Sequence, residues 1–238
     1  MNKRRLGIWH PTVVYLFLLA IVILVSWIGS IYEIRSVSGN SDQVVRSVLT
    51  SQGLRWMGRS AAGALTHAPF GQAIMLLLAI GAVVRSGLFQ AIIRPESAKQ
   101  RVALVLAACI FLVVLGLILS GLFFGSRPFL SLVGTLQGSP LSENPAFFLL
   151  LLTLFPSLVF GLSAGKLKTL TDCVNIAQDS IKAGAPFLLT LLVASQLIQT
   201  LEYTRLFRVM GLTENAFQVV SFLVYWLPLP FLLTERRK

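Results

Sequence analysis

Acidic residues are scarce in this chain, with nine Asp and Glu against 20 Lys and Arg in 238 residues. Charged residues of both signs make up 12% of it, where a water-exposed domain carries about a quarter. That shortage leaves too little polar surface for a separate soluble domain. Cysteine is almost missing too. Cys109 falls in an apolar run and Cys173 in a polar segment. Neither has a CxxC or Cys/His neighbour, so disulfide and metal readings both fail and structural thiols are expected. His10 and His67 are far apart in sequence, with no carboxylate or cysteine at ligand spacing. They read as interface residues rather than a catalytic pair. No Walker loop, GxGxxG, GxSxG or HExxH occurs, so neither an enzyme nor a bound cofactor or metal is expected.

What is abundant is apolar sequence: 55% of the residues are hydrophobic and the mean hydropathy is +0.80. Six stretches are long enough to read as membrane crossings of about 20 residues: 11–32, 68–84, 102–124, 144–165, 183–201 and 216–234. The first follows Lys3, Arg4 and Arg5 as a signal peptide would. It exceeds a usual h-region and lacks a small-residue cleavage site, so it reads as a retained helix. The fold class that follows is all-α, a polytopic membrane helix bundle forming one membrane-embedded domain over 1–238. The net charge of +11 sits at span ends rather than in a basic stripe, and no nucleic-acid partner is expected.

Loop charge orients the bundle. With the N-terminus inside, cytoplasmic segments hold Lys3, Arg4, Arg5, Arg85, Arg94, Lys99, Arg101, Lys166, Lys168, Lys182, Arg236, Arg237 and Lys238. Outer segments hold Arg35, Arg46, Arg55, Arg59, Arg127, Arg205 and Arg208. Both termini are therefore expected in the cytoplasm. Two connecting segments read as interfacial amphipathic helices. One lies between Ser41 and Thr66, where Arg55 and Arg59 sit four apart and Gly53 is expected to split the run. The other carries Asp172, Asn175, Asp179 and Lys182 on one face, with Gly184 and Pro186 expected to end it before the fifth span. Arg85 is expected to snorkel to the cytoplasmic headgroups.

No Asp or Glu lies well inside a span, although ion-coupled carriers usually keep one there. The interior polar stripe is Gln196, Gln199 and Tyr203, with Ser195 beside it. It reads either as an interhelical hydrogen-bond seam or as the polar lining of a substrate pathway. Gly121 and Gly125, and Gly161 and Gly165, are pairs four apart that admit close helix packing, within one chain or between copies. Leu227-Pro228-Leu229-Pro230 should bend or interrupt the sixth span.

Two blocks carry a family resemblance. GLRWMGRSAAGALTHAPFGQAIMLLLAIGAVVRSGLFQAIIR, 53–94, and FGLSAGKLKTLTDCVNIAQDSIKAGAPFLLTLLVASQLIQTLEYTRLFRVMGL, 160–212, resemble segments of the p-aminobenzoyl-glutamate transporter family, AbgT. The stretch 101–165, including SRPFLSLVGTLQGSPL, resembles the span pair preceding the second block. The resemblance implies a bacterial inner (plasma) membrane carrier for a small anionic substrate, with the lipid bilayer and a homo-oligomer or membrane partner subunit around it. Family members are about twice this length and carry two re-entrant hairpins that cradle substrate and ion. Here Arg94–Arg101 joins the blocks directly and no counterpart to the hairpin tips is found. Val84 and Arg85 also precede Ser86-Gly87 where the family usually has an acidic residue. Two readings follow: a transport protein incomplete as a lone subunit, or a non-transporting scaffold or partner that retains the oligomerisation framework.

Overall fold

The computed structural model describes residues 10–32, 45–67, 69–95, 97–124, 128–130 and 135–229. Regular structure among them is helical: α1 (Pro11–Ile31), α2 (Ser51–His67), α3 (Phe70–Ser86), α4 (Leu88–Ile93), α5 (Ala98–Phe123), α6 (Pro140–Glu143), α7 (Pro145–Ser163), α8 (Leu170–Thr204), α9 (Leu206–Val209) and α10 (Glu214–Trp226). Lipid offers the backbone no hydrogen bonds, so an apolar chain of this kind must satisfy its own N–H and C=O groups within helices. Four helices, α1, α5, α7 and α8, are long and apolar enough to cross a bilayer. At 17 residues α3 matches the expected second span in length and lies two residues further along, while α10, at 13 residues, is shorter than the expected sixth span. Helix α10 ends at Trp226, and a turn at Leu227 separates it from helical Pro228 and Leu229, the interruption expected where proline removes a backbone donor. Residues 230–234 of that expected span lie outside the described residues.

Local chemistry sets the helix ends. His10 caps α1 by accepting from the Thr12 amide at 3.3 Å, with Pro11 in the first turn. Ser97 caps α5 through the Gln100 amide. At the end of α7, Gly165 takes a left-handed φ of 76°, and the amides of Lys166 and Leu167 return to the Gly161 carbonyl at 2.9 Å.

Helix α8 departs most from the sequence-based expectation. Gly184 and Pro186 do not end a cytoplasmic segment; one helix of 35 residues runs through both. Each position has a local reason. A Cβ on Gly184 would overlap the Leu77 side chain of α3, so the glycine is there for close approach. Pro186 removes one helix hydrogen bond, while the Thr190 hydroxyl donates to the Pro186 carbonyl at 2.8 Å. Helix α2 is likewise undivided. Gly53 lies in its first turn, where its amide donates to the capping Thr50 hydroxyl at 3.1 Å. A Cβ there would strike the Ser47 and Val48 carbonyls.

By its contacts the chain forms two compact units, Met1–Phe70 with Pro186–Lys238, and Gly71–Ala185. In the second unit α5 packs along α7, and Ala103 and Ala107 meet Phe160 beside Leu88 and Ala91 of α4. Gly87, at φ 75°, separates α3 from α4, and its bare Cα accommodates the Lys166 side chain. Arg85 does not simply snorkel: it pairs with Asp179 at 2.8 Å. Both side chains are part-exposed, so the pair contributes at most about 1 kcal/mol.

The glycines singled out by spacing have different surroundings. A Cβ on Gly121 would overlap the Phe129 ring, and one on Gly161 would overlap Leu167. Gly165 has nothing within 4 Å and serves the helix-ending turn rather than a packing seam. Gly125 lies outside the described residues. Helices α3 and α8 approach closely instead at Gly81, which faces Ser180, and at Gly184, which faces Leu77. Replacing Gly81 or Gly184 by Leu should lower stability by about 1–3 kcal/mol or more through overpacking. Gly116→Leu, at a position with nothing within 4 Å, should leave it near wild type. Thermal unfolding in detergent of the three variants checks this contrast.

Candidate functional site

The first unit builds a cavity of about 580 Å³, within the usual range for small-molecule sites. Its wall begins with the second half of α8. Thr190, Thr200 and Thr204 are fully buried there, and each hydroxyl donates to the carbonyl four residues back, at 2.7–2.8 Å. Those polar groups are satisfied inside their own helix. The Gln196 and Gln199 side chains reach other partners.

Helix α2 runs antiparallel to this half of α8. Trp56 stacks on Tyr203 with ring centroids 4.2 Å apart and planes 15° apart. One turn further, the Gln196 amide donates to the Ser60 hydroxyl at 3.2 Å. The rising number on one helix meets the falling number on the other. Trp56, Arg59, Ser60 and Gly63 line the cavity, and their three- and four-residue steps put them on one face.

The strand of chain before α2 is pinned rather than loose. The Arg46 amide donates to the Thr204 carbonyl at 3.2 Å, and the Val48 amide to the Ser26 hydroxyl of α1 at 3.5 Å. That anchoring sets Arg46 at the cavity. On the far side, α8 ends at Arg205, a left-handed residue at φ 58°. Such a conformation costs a non-glycine residue about 1–3 kcal/mol. It turns the chain into α9, and Gly211 at φ 76° turns it again into α10. Between those two turns Phe207 stacks on Phe217, centroids 4.3 Å apart. Arg208 lies 5.5 Å over the Phe207 ring and bonds Glu214 at 2.7 Å.

Four arginines therefore line the cavity, Arg46, Arg59, Arg205 and Arg208, against two carboxylates, Glu202 and Glu214. Two stacked aromatic pairs share the same wall. A planar guanidinium binds a carboxylate with paired hydrogen bonds and also lies well against an aromatic face. The arrangement is suited to an anion carrying an apolar or aromatic body. Among the described residues no group of three or more His, Cys, Asp or Glu could hold a metal ion.

Of the residues expected from the polar stripe, Gln199 and Tyr203 both line this cavity. Gln199 is buried, with its amide donating to Ser195 at 3.2 Å. Gln196 faces a separate apolar recess and reaches the cavity wall only through Ser60. The arginines, Trp56 and the Phe207–Phe217 pair were not picked out by sequence reasoning. A signal was present: all seven basic residues of the expected outer segments are Arg, and all six Lys fall in the expected inner ones. Four of the seven line the cavity.

The AbgT putative transporter family model matches residues 5–122 and 95–224, two stretches that overlap beside the Arg94–Arg101 junction. No curated protein matches the chain. Two solved structures resemble it at 13% identity. The Alcanivorax borkumensis YdaH transporter has a TM-score of 0.72, covering 83% of this chain and 71% of that one. Neisseria gonorrhoeae MtrF, described within a class of antimetabolite efflux pumps, has a TM-score of 0.71, covering 92% and 79%. At that identity the likeness is one of fold.

The Trp56–Tyr203 stack should be worth about 0.5–1.5 kcal/mol beyond the area it buries. A double-mutant cycle with Trp56→Ala and Tyr203→Ala, read by unfolding in detergent, should return a coupling in that range.

Proposed function

The chain belongs to the AbgT transporter family, and on that premise we propose that it carries a small aromatic anion of the p-aminobenzoyl-glutamate type. A membrane transport role is common to the family and to both structural neighbours. The observation that supports this substrate class is the cavity of the first unit, with four arginines and two aromatic stacks around one space. In this reading Arg46 and Arg59 pair with substrate carboxylates. The ring lies beside Trp56 and Tyr203, and Gln199 offers an amide to a polar edge. Arg208, already bonded to Glu214, orders the rim.

The setting belongs to the same proposal: a bacterial inner membrane, both termini cytoplasmic, and the arginine cavity toward the outer face. The apolar faces need cover. Val105, Leu112 and Leu117 of α5 are each 64% exposed, a surface suited to lipid or to another chain of a homo-oligomer or partner subunit.

Reconstituted in proteoliposomes as a homo-oligomer or with a partner subunit, the protein should take up p-aminobenzoyl-glutamate saturably. Arg46→Ala and Arg59→Ala should each weaken its binding about 10- to 100-fold, the loss of a hydrogen-bonded charge partner. Absence of flux together with binding that ignores both arginines would leave the scaffold reading in its place.

A further inference from the structure

A second cavity in the first unit, about 360 Å³, lies beside the first. Its lining is almost wholly apolar: Leu16, Leu19 and Ile23 of α1, Met57 of α2, and Leu192 and Val193 of α8, with Gln196 as the single polar side chain. The two cavities share a partition. Met57 faces the recess and its neighbour Trp56 faces the arginine cavity, about 100° round the same helix. Ser60 lines the arginine cavity, accepts from Gln196 at 3.2 Å, and donates to the Met57 carbonyl at 3.1 Å. The Gln196–Ser60 bond thus joins the lining of a cationic aromatic space to that of an apolar one.

We propose that the recess is a second subsite, which takes the apolar tail of an amphiphilic anion whose carboxylate sits between Arg46 and Arg59. The proposal rests on the arginine cavity being the anion site. Its occupant follows from continuity: a ligand held by its charged end beside Ser60 meets the recess directly behind the Gln196–Ser60 bond. A tail that displaces this bond leaves Gln196 and Ser60 on the polar side, where the ligand's own polar atoms replace the lost contact. A chain with only the arginine cavity would favour compact aryl acids. With both spaces, it favours acids extended by an alkyl or second aryl group.

The test is equilibrium binding of benzoate and 4-butylbenzoate to the full chain in lipid nanodiscs, corrected against empty nanodiscs. The quantity read is the ratio of the two affinities. In the wild type the ratio should rise about three- to fourfold per added methylene, the usual gain on burying apolar surface. In Met57→Trp and in Leu192→Trp, which fill the recess from opposite walls, the ratio should fall toward one. Size-exclusion profiles identify folded variants, and either variant alone decides the outcome. A ratio near one in the wild type, or one unchanged by filling the recess, would overturn the proposal and leave the space to lipid chains. Failure of the anion site reads differently. Benzoate binding indifferent to Arg59→Ala would remove the arginine cavity while the butyl ratio still judged the recess.

Discussion

The first unit depends on how the second half of α8 disposes of its polar groups. A hydroxyl or amide buried in a helix that crosses lipid costs free energy unless it is hydrogen-bonded. Thr190, Thr200 and Thr204 return their hydroxyls to their own helix, and Thr12 of α1 meets Thr190 at 2.6 Å. Apolar contacts then close the rest: Tyr15 of α1 packs with Ala194 and Leu197 and bonds the Val224 carbonyl of α10 at 2.8 Å. Around that satisfied helix, Gln196 and Tyr203 meet α2, and Gln199 lines the cavity beside them. The arginine cavity forms where the middle of α2, α9 and the first turn of α10 meet around the end of α8.

The long apolar helices were readable from composition. Helices α1, α5 and α7 begin and end within four residues of the expected spans, because their limits are set by apolar length and by local caps such as Ser97 and Gly165. Continuity of α8 was not readable. Gly and Pro mark breaks in water, and only the position of Leu77 explains why Gly184 sits inside a helix instead. The same holds for the Gly81–Ser180 contact, which joins residues about 100 positions apart and so leaves no spacing to detect. A four-residue glycine repeat led instead to Gly165, whose role is to turn the chain.

The lining of the candidate cavity was legible at only two positions. Gln199 and Tyr203 stood out because polar side chains in an apolar helix are costly. The arginines did not, because counting them as outer charge treated them as exceptions to a topology rule. Their type carried the information. A lysine would serve as well for solvation, whereas an arginine fork suits a carboxylate and an aromatic face. Arg205 adds a second sign, since its left-handed backbone is the conformation a side chain rarely adopts without compensation.

The most direct measurement is an anomalous difference map from crystals of the full chain soaked in 4-iodobenzoate. Iodine is expected in the first unit, with the carboxylate toward Arg46 and Arg59 and the ring beside Trp56 and Tyr203. Ordered iodine elsewhere in the chain, with the arginine cavity empty at saturating ligand, would contradict it.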